Sequence, residues 1–166
     1  MLIRDALERE LSFIRDQRVR SYEEHSKILP SGHWQALKEG ISSETDLQPG
    51  VERIVAELDG EIVGSVALFP ANIDAYEGSV EILSYPEIRM LAVSPEVRGK
   101  GVASALITEC IERAKAGGYK SVGLHTGEFM HSAMRLYERF GFQRTPEYDF
   151  EPANDGIIVK AYGLTF

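Results

Sequence analysis

The apolar residues of this chain fall into short segments with two different periods. Leu2 and Ile3, followed by Arg4 and Asp5, open it as a short strand. Over residues 7–29 the period turns helical, with Leu7, Leu11, Ile14, Val19 and Tyr22 recurring at about 3.6 residues. Pro30-Ser31-Gly32 breaks that pattern, and a second short helix is expected over residues 33–38, ending at Gly40. Residues 41–50 are polar and read as a loop. Residues 51–58 and 61–69 are β-rich runs joined by Asp59-Gly60, the mark of a two-residue hairpin turn. Residues 70–86 mix prolines, glycine and acids and read as another loop. A strand is expected over 87–93, a helix over 102–116 stopped by Gly117-Gly118, a strand over 119–125 and a helix over 131–140 closed by Gly141. Residues 142–150 and 156–165 read as a final pair of strands around Pro152-Ala153-Asn154-Asp155.

Only residues 87–125 have the strand–helix–strand order of a parallel crossover. The expected class is therefore α+β: a mixed, mostly antiparallel twisted sheet with flanking helices and one parallel βαβ unit. No repeat, low-complexity tract or linker divides the chain, so residues 1–166 are expected to form a single domain.

Composition narrows the setting. Hydrophobic residues are 43% of the chain, enough for a core. No apolar run approaches the roughly 20 residues of a membrane span, so no membrane partner is expected. The start, Met1-Leu2-Ile3-Arg4-Asp5, lacks a signal-peptide pattern. The single cysteine, Cys110, allows no internal disulfide, and a cytoplasmic location is expected. A formal net charge of −8 disfavours nucleic acid as a partner.

The chemistry concentrates in residues 93–104. A strand-like run there meets a helical one through Arg98-Gly99-Lys100-Gly101, and nothing acidic lies between Val97 and Thr108. A helix start has N–H groups without carbonyl partners and sits at the positive end of the helix dipole. Glycines let a ligand approach that backbone closely. Such a turn suits a phosphate or pyrophosphate.

The turn also carries a family signature. Arg98-x-x-Gly101-x-Ala103, after a strand and opening a helix, resembles the Gln/Arg-x-x-Gly-x-Gly/Ala motif of the GNAT superfamily of N-acetyltransferases. Downstream, Ala133-x-x-Leu136-Tyr137-x-x-x-Gly141-Phe142 is similar to that family's later helix and following strand. The resemblance covers about residues 51–150 well and the N-terminal helices loosely. It implies acetyl-CoA as co-substrate, with no metal. It also implies transfer of the acetyl group to a primary amine, by direct attack without a covalent enzyme intermediate. The pyrophosphate is then expected on backbone N–H groups of Arg98, Gly99, Gly101, Val102, Ala103 and Ser104, with Lys100 adding positive charge. The pantetheine arm is expected beside Leu91, Ala92 and Val93, pairing with exposed backbone like an added strand.

Catalysis of that kind needs a base for the amine, a donor for the developing oxyanion and a proton for the departing thiolate. By the resemblance, Glu87 matches the base, a backbone N–H near Leu91 the oxyanion donor and Tyr137 the acid. One departure stands out: Met130 occupies a position where many family members have Asn. Tyr22-Glu23-Glu24-His25, His125 or His131, and residues 146–150 are further candidates for touching the acceptor. Read without the family, each is also an ordinary exposed helical face, loop cap or strand. Cys110 reads as a buried thiol.

Two other classes stay on the table. A non-catalytic acyl-CoA-binding regulator would keep the cradle and lose the chemistry. A dinucleotide-dependent oxidoreductase fits less well. Ser104 stands where its third glycine is needed, and the strand ending Leu124-His125 lacks the acid that holds a ribose. The acceptor itself, a small molecule or a peptide amine, is not written in the chain. Homodimers are common among such proteins, but no residue here specifies one.

Overall fold

The computed structural model describes all residues except 75–77 and 79–81. Part of the loop expected over residues 70–86 therefore lies outside the described residues. Among the described residues, the strands are β1 (Leu2–Asp5), β2 (Glu52–Leu58), β3 (Glu61–Phe69), β4 (Glu87–Val93), β5 (Ser121–Gly127), β6 (Gln143–Arg144) and β7 (Val159–Thr165). The helices are α1 (Leu11–Tyr22), α2 (Ser31–Ser42), α3 (Val102–Ala116) and α4 (His131–Phe140). The strands form one open sheet in the order β1-β2-β3-β4-β5-β7-β6, antiparallel except for the β4–β5 pair. The α+β class with a single parallel crossover is thus observed. No helix among the described residues is long and apolar enough to cross a membrane.

α3 packs on one face of the sheet. Leu106, Ile107 and Cys110 are fully buried against Ile54, Val66 and Val122. Close approach is possible because β3 has Gly64 under the helix start: a Cβ there would stand 2.9 Å from Val102 Cγ1 and 3.0 Å from the Ala92 carbonyl oxygen. α1 and α2 cover the opposite face, where Leu11 and Ile14 pack on Val55, and Tyr22 and Ile41 on Ala92. A buried ion pair fixes these helices to the segment after α2. Arg18 Nη1 donates to Asp46 Oδ2 at 2.9 Å and to the Ile41 carbonyl at 3.3 Å, with both side chains fully buried.

Several boundaries differ from the sequence expectation. The first helical stretch is not continuous over 7–29: α1 is flanked by 3-10 turns at Glu8–Glu10 and Glu23–Lys27. The second helix is longer than residues 33–38, since Ser31 and Gly32 join its first turn rather than breaking it. A 3-10 turn, Glu44–Leu47, stands in the expected loop. The strand expected over 142–150 shrinks to Gln143–Arg144. Pro146 starts a 3-10 turn, Pro146–Tyr148, and Asp149 folds back on Arg144 with two hydrogen bonds of 2.8 and 2.5 Å. A proline, which has no N–H to donate, fits a turn better than the interior of a strand.

Candidate active site

The site begins where the sheet comes apart. β4 and β5 pair only at Glu87↔Gly123 and Ile88↔Leu124. Beyond that point each strand keeps only its outer neighbour: β4 stays on β3 up to Val93, and β5 stays on β7 to Gly127↔Val159. The inner edges of residues 90–93 and 126–127 therefore face a wedge. A β-bulge accompanies the opening. Ser65 pairs with Ala92 and Ala67 with Arg89, so Met90 and Leu91 together oppose Val66. Met90 takes φ 58°, a left-handed conformation uncommon for a residue with a Cβ. The bulge sends Met90 to the same side as Arg89, whose guanidinium lies 5.1 Å from the centre of the Phe69 ring. Ile88, Leu91 and Val93 then all point towards α3. Ala92 faces the α1 side, and the Leu91 carbonyl accepts the Tyr22 hydroxyl at 2.7 Å.

The glycine turn lies at the end of β4. Gly99 and Gly101 both have φ 81°, and a Cβ on either would meet nothing within 4 Å. Both glycines are exposed, so a ligand can approach their backbone. Gly101 caps α3, and the first helical bond runs from the Ala105 N–H to its carbonyl at 3.0 Å. The N–H groups of Val102, Ala103 and Ser104 precede that bond and are the free donors of the helix start. The Val102 side chain is buried, so only its backbone is available to a ligand. Lys100 is exposed beside them. Arg98 is otherwise engaged: its N–H points to the Pro95 carbonyl at 3.4 Å, and its guanidinium binds Glu24 Oε2 at 2.7 Å and the Ser21 carbonyl at 2.8 Å.

A cavity of about 530 Å³ leads from the wedge to α2 and the segment before β7. Tyr137 lines it from the α4 side and is 5% exposed, its ring edge-on to Phe142 at 6.0 Å. Burial, with a smaller contribution from Tyr22, pushes its hydroxyl well above the usual tyrosine range. Burial likewise pushes Tyr22 up to about 12. Both are neutral O–H groups at ordinary pH.

Glu87 stands at the head of β4 and is 5% exposed. Parallel pairing of Glu87 with Gly123 puts it on the same face as His125, two residues further along β5. The two side chains are in hydrogen-bond contact through Glu87 Oε1 and His125 Nδ1. His125 Nε2 is 2.9 Å from the Tyr148 carbonyl, which can only accept, so Nε2 carries a proton. His125 lines the cavity, and Glu87 stands behind it.

The other sequence candidates divide. Tyr22 lines the cavity, whereas Glu24 is spent on Arg98 and the His25 ring packs on Phe129 at 5.0 Å. His131 is exposed at the start of α4. Met130 lines the cavity as an apolar wall, its sulfur accepting from Thr126 Oγ1 at 3.6 Å. Phe150 reaches the cavity, but from an isolated bridge to Val159 rather than from the expected strand. Cys110 is buried, which pushes its thiol up to about 12. Sequence reading missed the Met90 bulge, the Glu87–His125 contact and a second pair, His33–Asp155. The i+2 spacing across a parallel pair was the available signal for His125. The other two rest on contacts between distant segments.

The chain matches the acetyltransferase (GNAT) family model over residues 11–142. It is 37% identical to rat N-acetyltransferase family 8 member 2 over 112 residues, 68% of this chain and 47% of that protein. The chain spans about half the length of the curated relatives it matches. Its fold is similar to the PaiA N-acetyltransferase of Thermoplasma acidophilum, solved in complex with coenzyme A, with a TM-score of 0.71, 15% identity and coverage of 99% and 98% of the two chains. It is similar also to yncA of Salmonella typhimurium, solved with its cofactor acetyl-CoA, at a TM-score of 0.69, 17% identity and coverage of 99% and 93%. A match over most of the chain, running from α1 through α4, shows that the chain belongs to the acetyltransferase (GNAT) family.

Proposed function

We propose that this protein transfers an acetyl group from acetyl-CoA to a primary amine by direct attack. The observation that carries the reading is the wedge between β4 and β5, which opens beside an exposed glycine turn leading into the start of α3. The residues present fit coenzyme A. Gly99, Gly101, Val102, Ala103 and Ser104 supply backbone donors for a diphosphate, and Lys100 adds charge. Arg98 serves by tying the turn to the end of α1. Leu91, Ala92 and Val93 offer a strand edge to the amides of the pantetheine arm. When bound, acetyl-CoA supplies an activated acyl group and a thiolate leaving group. The solved relatives that carry coenzyme A or acetyl-CoA support the same choice of co-substrate.

The chain's own groups then divide the work. A backbone N–H at the bulge near Leu91 donates to the negative charge that develops on the acyl oxygen. Tyr137, kept neutral by burial, holds a proton for the leaving sulfur. Glu87, behind the cavity wall, accepts the amine proton through a water, with His125 holding its carboxylate in place. The acceptor, a small molecule or a peptide, enters by the cavity.

Mixing the protein with acetyl-CoA and a panel of amines, and following free thiol, tests the reading. Amine-dependent thiol release with a matching N-acetylated product is expected. Cofactor binding without turnover on any amine would make the protein an acyl-CoA-binding regulator instead.

A further inference from the structure

The far wall of the cavity holds a histidine–carboxylate pair that this chemistry leaves unused. His33 stands in the first turn of α2 and is 4% exposed. Its Nδ1 lies 2.9 Å from Asp155 Oδ2, and Asp155 Oδ1 accepts the Ile157 N–H at 3.1 Å. Desolvation acts to raise the Asp155 carboxyl, but the Ile157 N–H and His33 outweigh it and hold the group below the usual carboxylate range. The carboxylate accepts the ring proton at Nδ1, and in that tautomer of the imidazole Nε2 is the acceptor. Nε2 has no partner among the described residues. It is also not one of the buried polar atoms left unpaired. Since His33 lines the cavity, the open edge of the ring meets it there.

His33 stands near the start of α2, and Ile41, eight residues on, packs on Ala92 of β4, so about 12 Å of helix lies between His33 and that contact. Tyr22, bonded to the Leu91 carbonyl, touches the His25 ring at 6.2 Å. His25 touches Phe129 at 5.0 Å, and Phe129 touches His33 at 5.9 Å. The cavity wall includes the apolar Leu37, Met130 and Pro152 beside the polar Glu39, Ser43 and Thr45. A proton acceptor at that distance from the reacting atoms is placed to read the rest of the acceptor molecule.

We propose that His33, oriented by Asp155, selects the acceptor by receiving a hydrogen bond from a second donor group at the end remote from the reacting amine. The inference rests on the acetyl-transfer reading above. The substrate class is an amine joined through an apolar spacer to an N–H or O–H donor. A purely hydrocarbon amine fills the same space but leaves Nε2 unpaired.

Asp155→Asn tests the orientation of the imidazole. The Ile157 N–H demands the amide oxygen, so the amide NH2 turns to Nδ1 and the ring proton moves to Nε2. The cavity then meets a donor in place of an acceptor. His33→Phe keeps a ring against Phe129 and removes both nitrogens, so it serves if Asp155→Asn fails to fold. The probes are short α,ω-diamines of increasing length and the monoamines of equal length, compared by kcat/KM. The native protein is expected to prefer a diamine over its monoamine by about tenfold or more, expressed in KM. Both variants lose that preference, while turnover of the monoamine and coenzyme A affinity stay within about twofold. No preference in the native protein, or a preference that survives both substitutions, overturns the proposal. If no amine is acetylated, the acetyl-transfer reading fails. Calorimetric Kd values for the same amine pairs then decide the role of His33 by the same criterion.

Discussion

The hydroxyl of Tyr137 is kept neutral by burial, and that sets what it can contribute. A group that stays protonated can give a proton to a thiolate without first competing with solvent for one. Tyr137→Phe should lower kcat by roughly 10²-fold while coenzyme A affinity changes by less than about threefold. Full activity in that variant would remove Tyr137 as the acid. Glu87→Gln keeps the shape of the side chain against His125 and removes the proton acceptor. It should cost a similar factor in kcat; full activity in that variant assigns the proton elsewhere. At this scale the places of Tyr137 in α4, Glu87 at the head of β4 and the glycines before α3 were legible, because the element pattern puts them there. Arg18, His33 and Asp155 were not. A lone arginine on a polar helix reads as exposed, and nothing local announces that Arg18 meets Asp46 in the core.

Two neighbouring elements, β3 and α3, depend on the absence of one side chain. Gly64→Ala places a Cβ within 2.9 Å of Val102 and 3.0 Å of a backbone oxygen. Overpacking of this kind costs about 1–3 kcal/mol, so the melting temperature should fall measurably. Because Val102 is the first residue of α3, coenzyme A affinity should fall with it. An unchanged melting temperature and affinity would mean that the helix start is not seated on Gly64. The hairpin at Asp59-Gly60 and the span of α3 were readable, since turn chemistry and helical period agree there. The bulge was not: Met90 adopts φ 58° with no glycine to mark it. The strand expected over residues 142–150 failed because the local alternation of aromatics and acids gave way to Pro146 and the Arg144–Asp149 pair.

Across the whole molecule, the first strand is pinned by charge as well as by its ladder. Arg4 donates to Glu10 and Glu57, and its hydrogen bonds lower the Glu10 carboxyl from 4.5 to about 2. A carboxyl depressed on folding contributes stability that is present above its unfolded value and lost as pH falls towards its folded one. Between about pH 6 and pH 3, the native protein should therefore lose more of its urea midpoint than Glu10→Gln does. Equal losses would leave this pair without a stabilising role. The succession of elements along the chain and the single parallel crossover followed from the sequence pattern. The early parting of β4 from β5 did not, because it arises from the bulge and from how long each strand keeps its outer partner. That parting, beside the turn at Gly99 and Gly101, carries the functional account. A crystal structure with coenzyme A bound tests it most directly. The account predicts the diphosphate on the backbone N–H groups of residues 99 and 101–104, with the pantetheine arm along the inner edge of β4. A diphosphate lodged elsewhere, with the turn empty and the wedge closed, would contradict it.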